Sequence, residues 1–353
     1  MESQKDMFDL LDMMTQPVFC VKDAVIVRSN AVAQQLFPEI GESILPLLGS
    51  SAEAYKEFTD GCLYLSLSIA GLSVGACVRR MEDMDIFELD SSENDSFRAM
   101  ALAACAMRKP LNSALSEAAS LLDSQDDPQV LQQLSQLNRS LYQLLRMLGN
   151  MSDAEYISTH YSGRITDIPA LFREIFEKAQ TLLERSHVTL TYEGMAEPVY
   201  ALADSEQLER AVLNILSNAA KFTPKGGHIQ ASLVRRGNCL RLSVQDSGSG
   251  IAQDIMGSLF RRHLRQPGIE DSRYGLGLGM HLIHAAAIHH GGTLLVTQGE
   301  NGGTRIVFTI AMRQKESGSL ASPISALDCS GGFDRTLVEL SECLSPELFD
   351  GSY

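Results

Sequence analysis

The stretch Asp204–Pro224, DSEQLERAVLNILSNAAKFTP, decides how this chain is read. Leu208, Val212, Ile215, Leu216 and Ala219 recur at helical spacing, so one face of a helix is buried while Asn214, Asn218 and Lys221 fall near another. Asparagine is a poor helix-interior residue because its side chain competes for backbone hydrogen bonds. Two of them one turn apart ask for a reason. A solvated face is the plain one.

The sharper reason is metal and phosphate. Mg²⁺ takes one or two protein oxygens and leaves its other positions to nucleotide phosphates and water, and an Asn carbonyl can be such an oxygen. Lys221, one turn beyond Asn218, is placed to face the phosphates. Two glycine motifs bear on the choice. Asp246-Ser247-Gly248-Ser249-Gly250 closes a strand-like run, Leu240 to Val244, and offers an acceptor carboxylate on a loop tight enough for a flat ring to approach the backbone. Gly275-Leu276-Gly277-Leu278-Gly279 then opens a helical run, Met280 to His290, whose first N–H groups suit a phosphate. Either motif alone is more often a simple turn.

The order NILSNAAKFTP, DSGSG, GLGLG, then His290-Gly291-Gly292 and Gly302-Gly303-Thr304 before a last strand resembles the ATP-binding domain of sensor histidine kinases. That family shares its ATPase fold with gyrase, Hsp90 and MutL, and the resemblance runs from about Ile168 to Met312. It implies Mg²⁺ on Asn218, Asn214 beside the triphosphate, Lys221 on phosphate, Phe222 against adenine and Asp246 accepting from the adenine amino group. Gly248 and Gly250 would let that loop close; Gly275, Gly277 and Gly279 would form the phosphate-side loop, and Thr304 would lie near the base. Phe260 looks like the anchor of a mobile lid, Ala252 to Tyr274, from which Arg262 or Arg265 reaches the γ-phosphate. His263, His281, His284, His289 and His290 have no spacing that closes a metal site.

Upstream the resemblance breaks where it matters for chemistry. Cys105-Ala106-Met107-Arg108-Lys109-Pro110-Leu111 is similar to the kinase H-box, yet Cys105 stands at the position of the phosphoacceptor histidine and Ala106 at the adjoining acidic position. The first histidine of the chain is His160. An imidazole nucleophile and the carboxylate that takes its proton are both gone. Cys105 sits among alanines with Arg108 the nearest cation, which does little to activate a thiolate, so a packing residue at a vacated site is the stronger reading.

The helices around this box carry apolar stripes. Phe97, Met100, Ala104, Met107, Leu111, Leu115, Ala118 and Leu122 mark one from Ser96 to Leu122; Leu134, Leu137, Leu141, Leu144, Leu148 and Met151 mark another from Val130 to Met151, with Asp126-Asp127-Pro128 as the turn. The seam is too broad for one hairpin, so pairing with a second copy as a four-helix bundle is expected. The alternative is a hairpin packed on a neighbouring domain.

Before it, Phe8 to Glu88 reads as a small α/β unit. A helix from Met7 to Met14, strands Pro17–Val21 and Ala24–Arg28 around a Lys22-Asp23 turn, a helix Ala31–Phe37 capped by Ser29-Asn30, and strands Cys62–Ala70 and Leu72–Arg79 resemble a PAS sensor domain. Met81 to Asp95 is acidic and Ser-rich, which suits a linker or the start of the next helix. Tyr156 to Thr166 reads as a polar connector, and Asp167-Ile168-Pro169 as the start of a helix to about Glu184. After Arg313 the chain is Ser-rich, then able to form a short amphipathic helix with Phe333, Leu337, Leu340 and Leu344 on one side.

The expected architecture is therefore α+β and multidomain: a PAS-like α/β domain (1–90), a two-helix dimerisation hairpin (91–160), an α/β-sandwich ATP-binding domain (161–314) and a flexible tail (315–353). The net charge of −15 argues against a general nucleic-acid or anionic-membrane surface. No apolar run approaches bilayer-spanning length, and the 7 scattered cysteines without a CxxC suit reduced thiols, so a cytoplasmic protein is expected. The functional expectation is a homodimer through residues 96–151 that binds Mg-ATP and works with a response regulator or a partner kinase. It is a kinase without histidine autophosphorylation, a nucleotide-dependent scaffold, or, by a weaker likeness, a serine kinase acting on a partner.

Overall fold

The computed structural model describes residues 11, 13–14, 16–35, 40–69, 72–81, 83–90, 94–251, 278–299, 302–312 and 333–350. The N-terminal unit is a five-stranded antiparallel sheet. β1 (Val18–Lys22) and β2 (Val25–Ser29) form a hairpin over Asp23 and Ala24, both at positive φ, the geometry whose twist matches the flanking strands. Two short helices, α1 (Leu45–Leu48) and α2 (Ala52–Glu57), precede β3 (Cys62–Ile69), β4 (Leu72–Met81) and β5 (Met84–Leu89), and the sheet runs β2-β1-β5-β4-β3. Phe19 and Phe87 stack at 4.8 Å in its core.

Two expectations need correction here. The acidic stretch taken for a linker contains β5, a central strand buried along its whole length. Its acids are neutralised rather than solvated: Asp85 receives both Nε and Nη2 of Arg80, at 2.7 and 2.9 Å, and the Tyr55 hydroxyl at 2.7 Å. The helix expected over Ala31–Phe37 is a 3₁₀ turn at Ala33–Gln35, with Leu36 and Phe37 outside the described residues. Asn30 does cap it, its Oδ1 accepting from Ala33 N–H at 2.9 Å, but the same oxygen also takes Val18 N–H at 3.1 Å and so ties the turn to β1. The helix expected over Met7–Met14 lies mostly outside the described residues.

The helical hairpin is longer than its apolar stripes. α3 spans Asn94–Asp123 and α4 spans Pro128–Thr159, with the Asp127 side chain accepting from Gln129 N–H at 2.9 Å and Pro128 in the first turn. The polar segment after Met151 stays helical because Ala154 and Ile157 are buried against Leu278, Leu282 and Ala285, a contact no local pattern shows. Part of the expected connector is also a strand, β6 (Arg164–Asp167).

The C-terminal half is an α/β sandwich. α5 (Ile168–Arg185), started by Asp167 and Pro169, leads to β7 (Thr189–Glu193) and to β8 (Tyr200–Ala203), which pairs with β6. α6 (Ser205–Phe222), β9 (His228–Arg236), β10 (Cys239–Asp246), α7 (Leu278–His289), β11 (Leu294–Gln298) and β12 (Thr304–Ala311) complete it. Strand order is β11-β12-β10-β9-β7, with β7 parallel to β9, and helices pack on the sheet through Phe172, Phe176, Leu213, Leu216, Ile283 and Phe308.

The two sheets join. β3 pairs with β11, Tyr64 opposite Leu294 and Cys62 opposite Val296, so the N-terminal sheet and the sandwich sheet form one ten-stranded surface. Gly61 makes this approach possible: it sits at φ +88°, and a Cβ there would stand 2.3 Å from the Val296 carbonyl oxygen. Part of the tail lies within the described residues, 333–350. α8 (Arg335–Leu340) and a 3₁₀ turn at Pro346–Phe349 dock on the body, where Phe333 and Phe349 meet the Tyr142 ring of α4 edge-on at 5.5 and 5.1 Å.

Candidate nucleotide site

α6 positions the first group of expected residues. Asp204 starts the helix by accepting from Gln207 N–H at 3.2 Å, and its second oxygen holds Ser162 N–H at 2.9 Å. Its apolar face is fully buried, and so is Asn214, at 0% exposure. Asn214 Nδ2 donates to the Arg210 carbonyl at 2.9 Å, whereas its Oδ1 has no hydrogen-bond partner among the described residues. A buried carbonyl oxygen without a donor costs on the order of 1–3 kcal/mol, so it marks a place where something else completes the site.

What faces that oxygen is the start of α7. A Cβ at Gly279 would stand 2.8 Å from Asn214 Oδ1, so glycine keeps the space open. One turn along α6, half-buried Asn218 brings Nδ2 to 3.7 Å from Met280 Sδ, on the same first turn of α7. Asn214, Asn218 and Gly279 therefore converge, as expected, although 61 residues separate Asn218 from Gly279.

The second group gathers at the end of β10. Asp246 is buried, and its Oδ1 accepts from Gly248 N–H at 2.8 Å and from Thr304 N–H at 3.1 Å. Burial pushes the Asp246 carboxyl above the usual carboxylate range, against the pull of those backbone N–H groups. The Thr304 side chain also hydrogen-bonds the carboxylate, so Asp246 is held as an acceptor by both the loop and the start of β12. Gly248 cannot carry a side chain without meeting the Phe222 carbonyl oxygen, 2.3 Å from a Cβ, and Gly250 turns the loop at φ +75°. Phe222, through its backbone carbonyl, and Thr304, through its N–H, thus border the Asp246 loop.

Other expectations fall elsewhere. Phe260, Arg262, His263, Arg265, Gly275 and Gly277 lie outside the described residues. Cys105 is exposed on α3, a different element from the rest. Lys221 is at the end of α6, and its Nζ is 2.6 Å from Glu342 Oε2 of the tail. Nothing in the sequence signals that pairing across 121 residues.

His289 and His290 make structural contacts. His290 Nδ1 donates to the Ala286 carbonyl at 2.7 Å and its Nε2 accepts from Asp204 N–H at 3.0 Å, tying α7 to the start of α6. His289 Nδ1 lies 3.0 Å from Gln207 Oε1, and burial pushes its imidazole below the ordinary histidine range. Among the described residues no cluster of three or more His, Cys, Asp or Glu could hold a metal. The oxygen donor for a magnesium-bound nucleotide would be an Asn carboxamide, and half-buried Asn218 carries one a turn from the buried Asn214 Oδ1.

Residues 203–314 match the family described as "Histidine kinase-, DNA gyrase B-, and HSP90-like ATPase". The sensor histidine kinase RppB of Synechocystis sp. is 30% identical over 216 residues, 60% of this chain and 47% of that one. The sensor histidine kinase TmoS of Ectopseudomonas mendocina is 28% identical over 246 residues, 67% of this chain and 25% of that one. This chain spans a quarter to about half the length of these relatives. A crystal structure of full-length ShkA with AMPPNP overlaps 62% of this chain and 47% of that one at 23% identity and a TM-score of 0.49, too low to carry an argument. The chain carries, in residues 203–314, an ATP-binding domain of the histidine kinase type.

Proposed function

We propose that this protein is a sensor-kinase-type signalling protein that binds Mg-ATP between α6, the Asp246 loop and the start of α7, and that it does not phosphorylate itself on histidine. The observation that carries the binding reading is the orphaned Asn214 Oδ1, fully buried and facing a glycine that leaves it room. Asn218 would present its carboxamide oxygen to Mg²⁺, and Asp246 Oδ2 would accept from the adenine amino group with Phe222 and Thr304 beside the base. Bound Mg-ATP supplies a phosphoryl donor. The chain's own residues orient it: Asn214 and Asn218 from one helix, the first N–H groups of α7 from another.

The exposed Cys105 at the acceptor position favours a function exerted in trans or by conformation. A response regulator or a second kinase is the partner class the family resemblance implies. The hairpin keeps an open apolar seam for self-association: Met107 and Leu121 on α3 and Leu137 and Leu144 on α4 are about half exposed, at 55, 52, 50 and 47%. The hairpin β1–β2, short helices and strand pair β3–β4 support the PAS-like reading of residues 1–90. No helix among the described residues is long and apolar enough to cross a membrane.

The test is incubation with γ-labelled ATP and Mg²⁺, alone and with candidate regulators. We expect no acid-labile label on the protein itself; such label would contradict the reading. Label on a regulator supports kinase action in trans, and nucleotide binding without label on either supports the scaffold.

A further inference from the structure

We propose that the C-terminal segment Phe333–Asp350 is an intramolecular latch, in which Glu342 competes with nucleotide phosphate for Lys221. This rests on the reading of Lys221 as a phosphate contact. The segment is anchored on two elements at once. On the hairpin side, Asn138 Nδ2 donates to the Phe349 carbonyl at 2.9 Å, and Arg139 donates to the carbonyls of Ser341 and Glu342 at 3.1 and 2.8 Å. On the sandwich side, Arg335 reaches Glu209 at 2.6 Å and Glu206 at 3.3 Å, both on α6. Leu337, Leu340, Leu344, Leu348 and Phe349 are buried. The segment thus clamps α4 to the helix that carries Asn214 and Asn218.

Glu342 is the hinge of the argument. Its Oε2 is 2.6 Å from Lys221 Nζ and its Oε1 is 3.1 Å from Arg146 Nη1. Arg146 has a second carboxylate, Glu339, at 3.1 Å. Removing Glu342 therefore leaves Arg146 still paired with Glu339, and Lys221 alone loses its partner. A buried ion pair is costly to break when it strands a charge. Here the stranded charge is the one that a triphosphate would take over, so Lys221 stays compensated when phosphate replaces Glu342, while Arg146, whose carboxylates Glu339 and Glu342 both lie on the segment, opposes full release. Linkage makes the effect mutual: docking lowers the apparent nucleotide affinity by the fraction of molecules left open, and nucleotide lowers docking by the same factor.

The experiment uses the full chain and Mg-AMPPNP as probe. Calorimetry should show Glu342→Gln binding the probe about three- to tenfold tighter than wild type, the factor set by how often the latch is closed. In wild type, amide exchange across residues 336–349 should quicken when the probe saturates, a measurement that does not depend on the variant folding. Equal affinity in the two proteins, or exchange unchanged by the probe, overturns the latch while leaving nucleotide binding in place. Absence of probe binding to either protein overturns the ATP-binding reading and the latch with it.

Discussion

The Asp246 side chain accepts a hydrogen bond from the backbone N–H of Thr304 at 3.1 Å, joining the end of β10 to the start of β12 across 58 residues of chain. The same oxygen takes Gly248 N–H at 2.8 Å, so one carboxylate oxygen shapes the loop, and in the proposed function the carboxylate also accepts from the base. Asp246→Asn separates the two duties. An Asn can keep the loop bonds through its carbonyl, but it presents an amino group where an acceptor is needed. We expect a melting temperature close to wild type and an ATP affinity lowered about 10- to 100-fold, the value of about 1.5–3 kcal/mol for a hydrogen bond to a charged group. Thermal melts and calorimetry on the same samples check both halves.

Gly279 leaves room for Asn214 Oδ1, which a Cβ would approach to 2.8 Å. Gly279→Ala should weaken Mg-AMPPNP binding at least about tenfold while costing only about 1 kcal/mol in stability, because alanine suits a helix and the strain falls on one carboxamide. Urea unfolding and nucleotide titration would show the split.

Gly61→Ala tests the joint between the sheets. Positive φ and a contact of 2.3 Å with the Val296 carbonyl both oppose a side chain there. We expect about 1–3 kcal/mol of destabilisation, with faster amide exchange at Cys62–Tyr64 and Leu294–Val296.

The tail contact carries a pH signature. Burial would raise the Glu342 carboxyl, but Arg146 and Lys221 together hold it below its ordinary value of 4.5. Glu339, Arg139 and Cys343 stand around the same cluster. A depressed carboxylate contributes stability that is present above the unfolded value and lost as pH falls through the folded one. Wild type should therefore exceed Glu342→Gln by about 1–3 kcal/mol at pH 7, and the gap should close in acid below pH 4.5. Parallel denaturant titrations across that range decide it.

The nucleotide site was legible because its signals are local in sequence. Helical spacing in Asp204–Pro224 set Asn214 and Asn218, and Gly248 of DSGSG and Gly279 of the GLGLG run stand where a Cβ has no room. What escaped was decided by distant partners. β5 carries acids that looked solvated until Arg80 and Tyr55 were seen to pair with Asp85. The last turns of α4 are polar in sequence, yet they are held as helix by contacts to α7. The seam between β3 and β11 and the bond from Glu342 to Lys221 join segments with no shared pattern at all.

The central claim is a magnesium-dependent nucleotide site built from α6, the Asp246 loop and α7, and calorimetric titration with Mg-AMPPNP tests it most directly. The account predicts saturable one-to-one binding by wild type that weakens when Mg²⁺ is chelated, with affinity reduced at least about tenfold in both Asn218→Ala and Asp246→Ala. Affinity unchanged in both variants would contradict it.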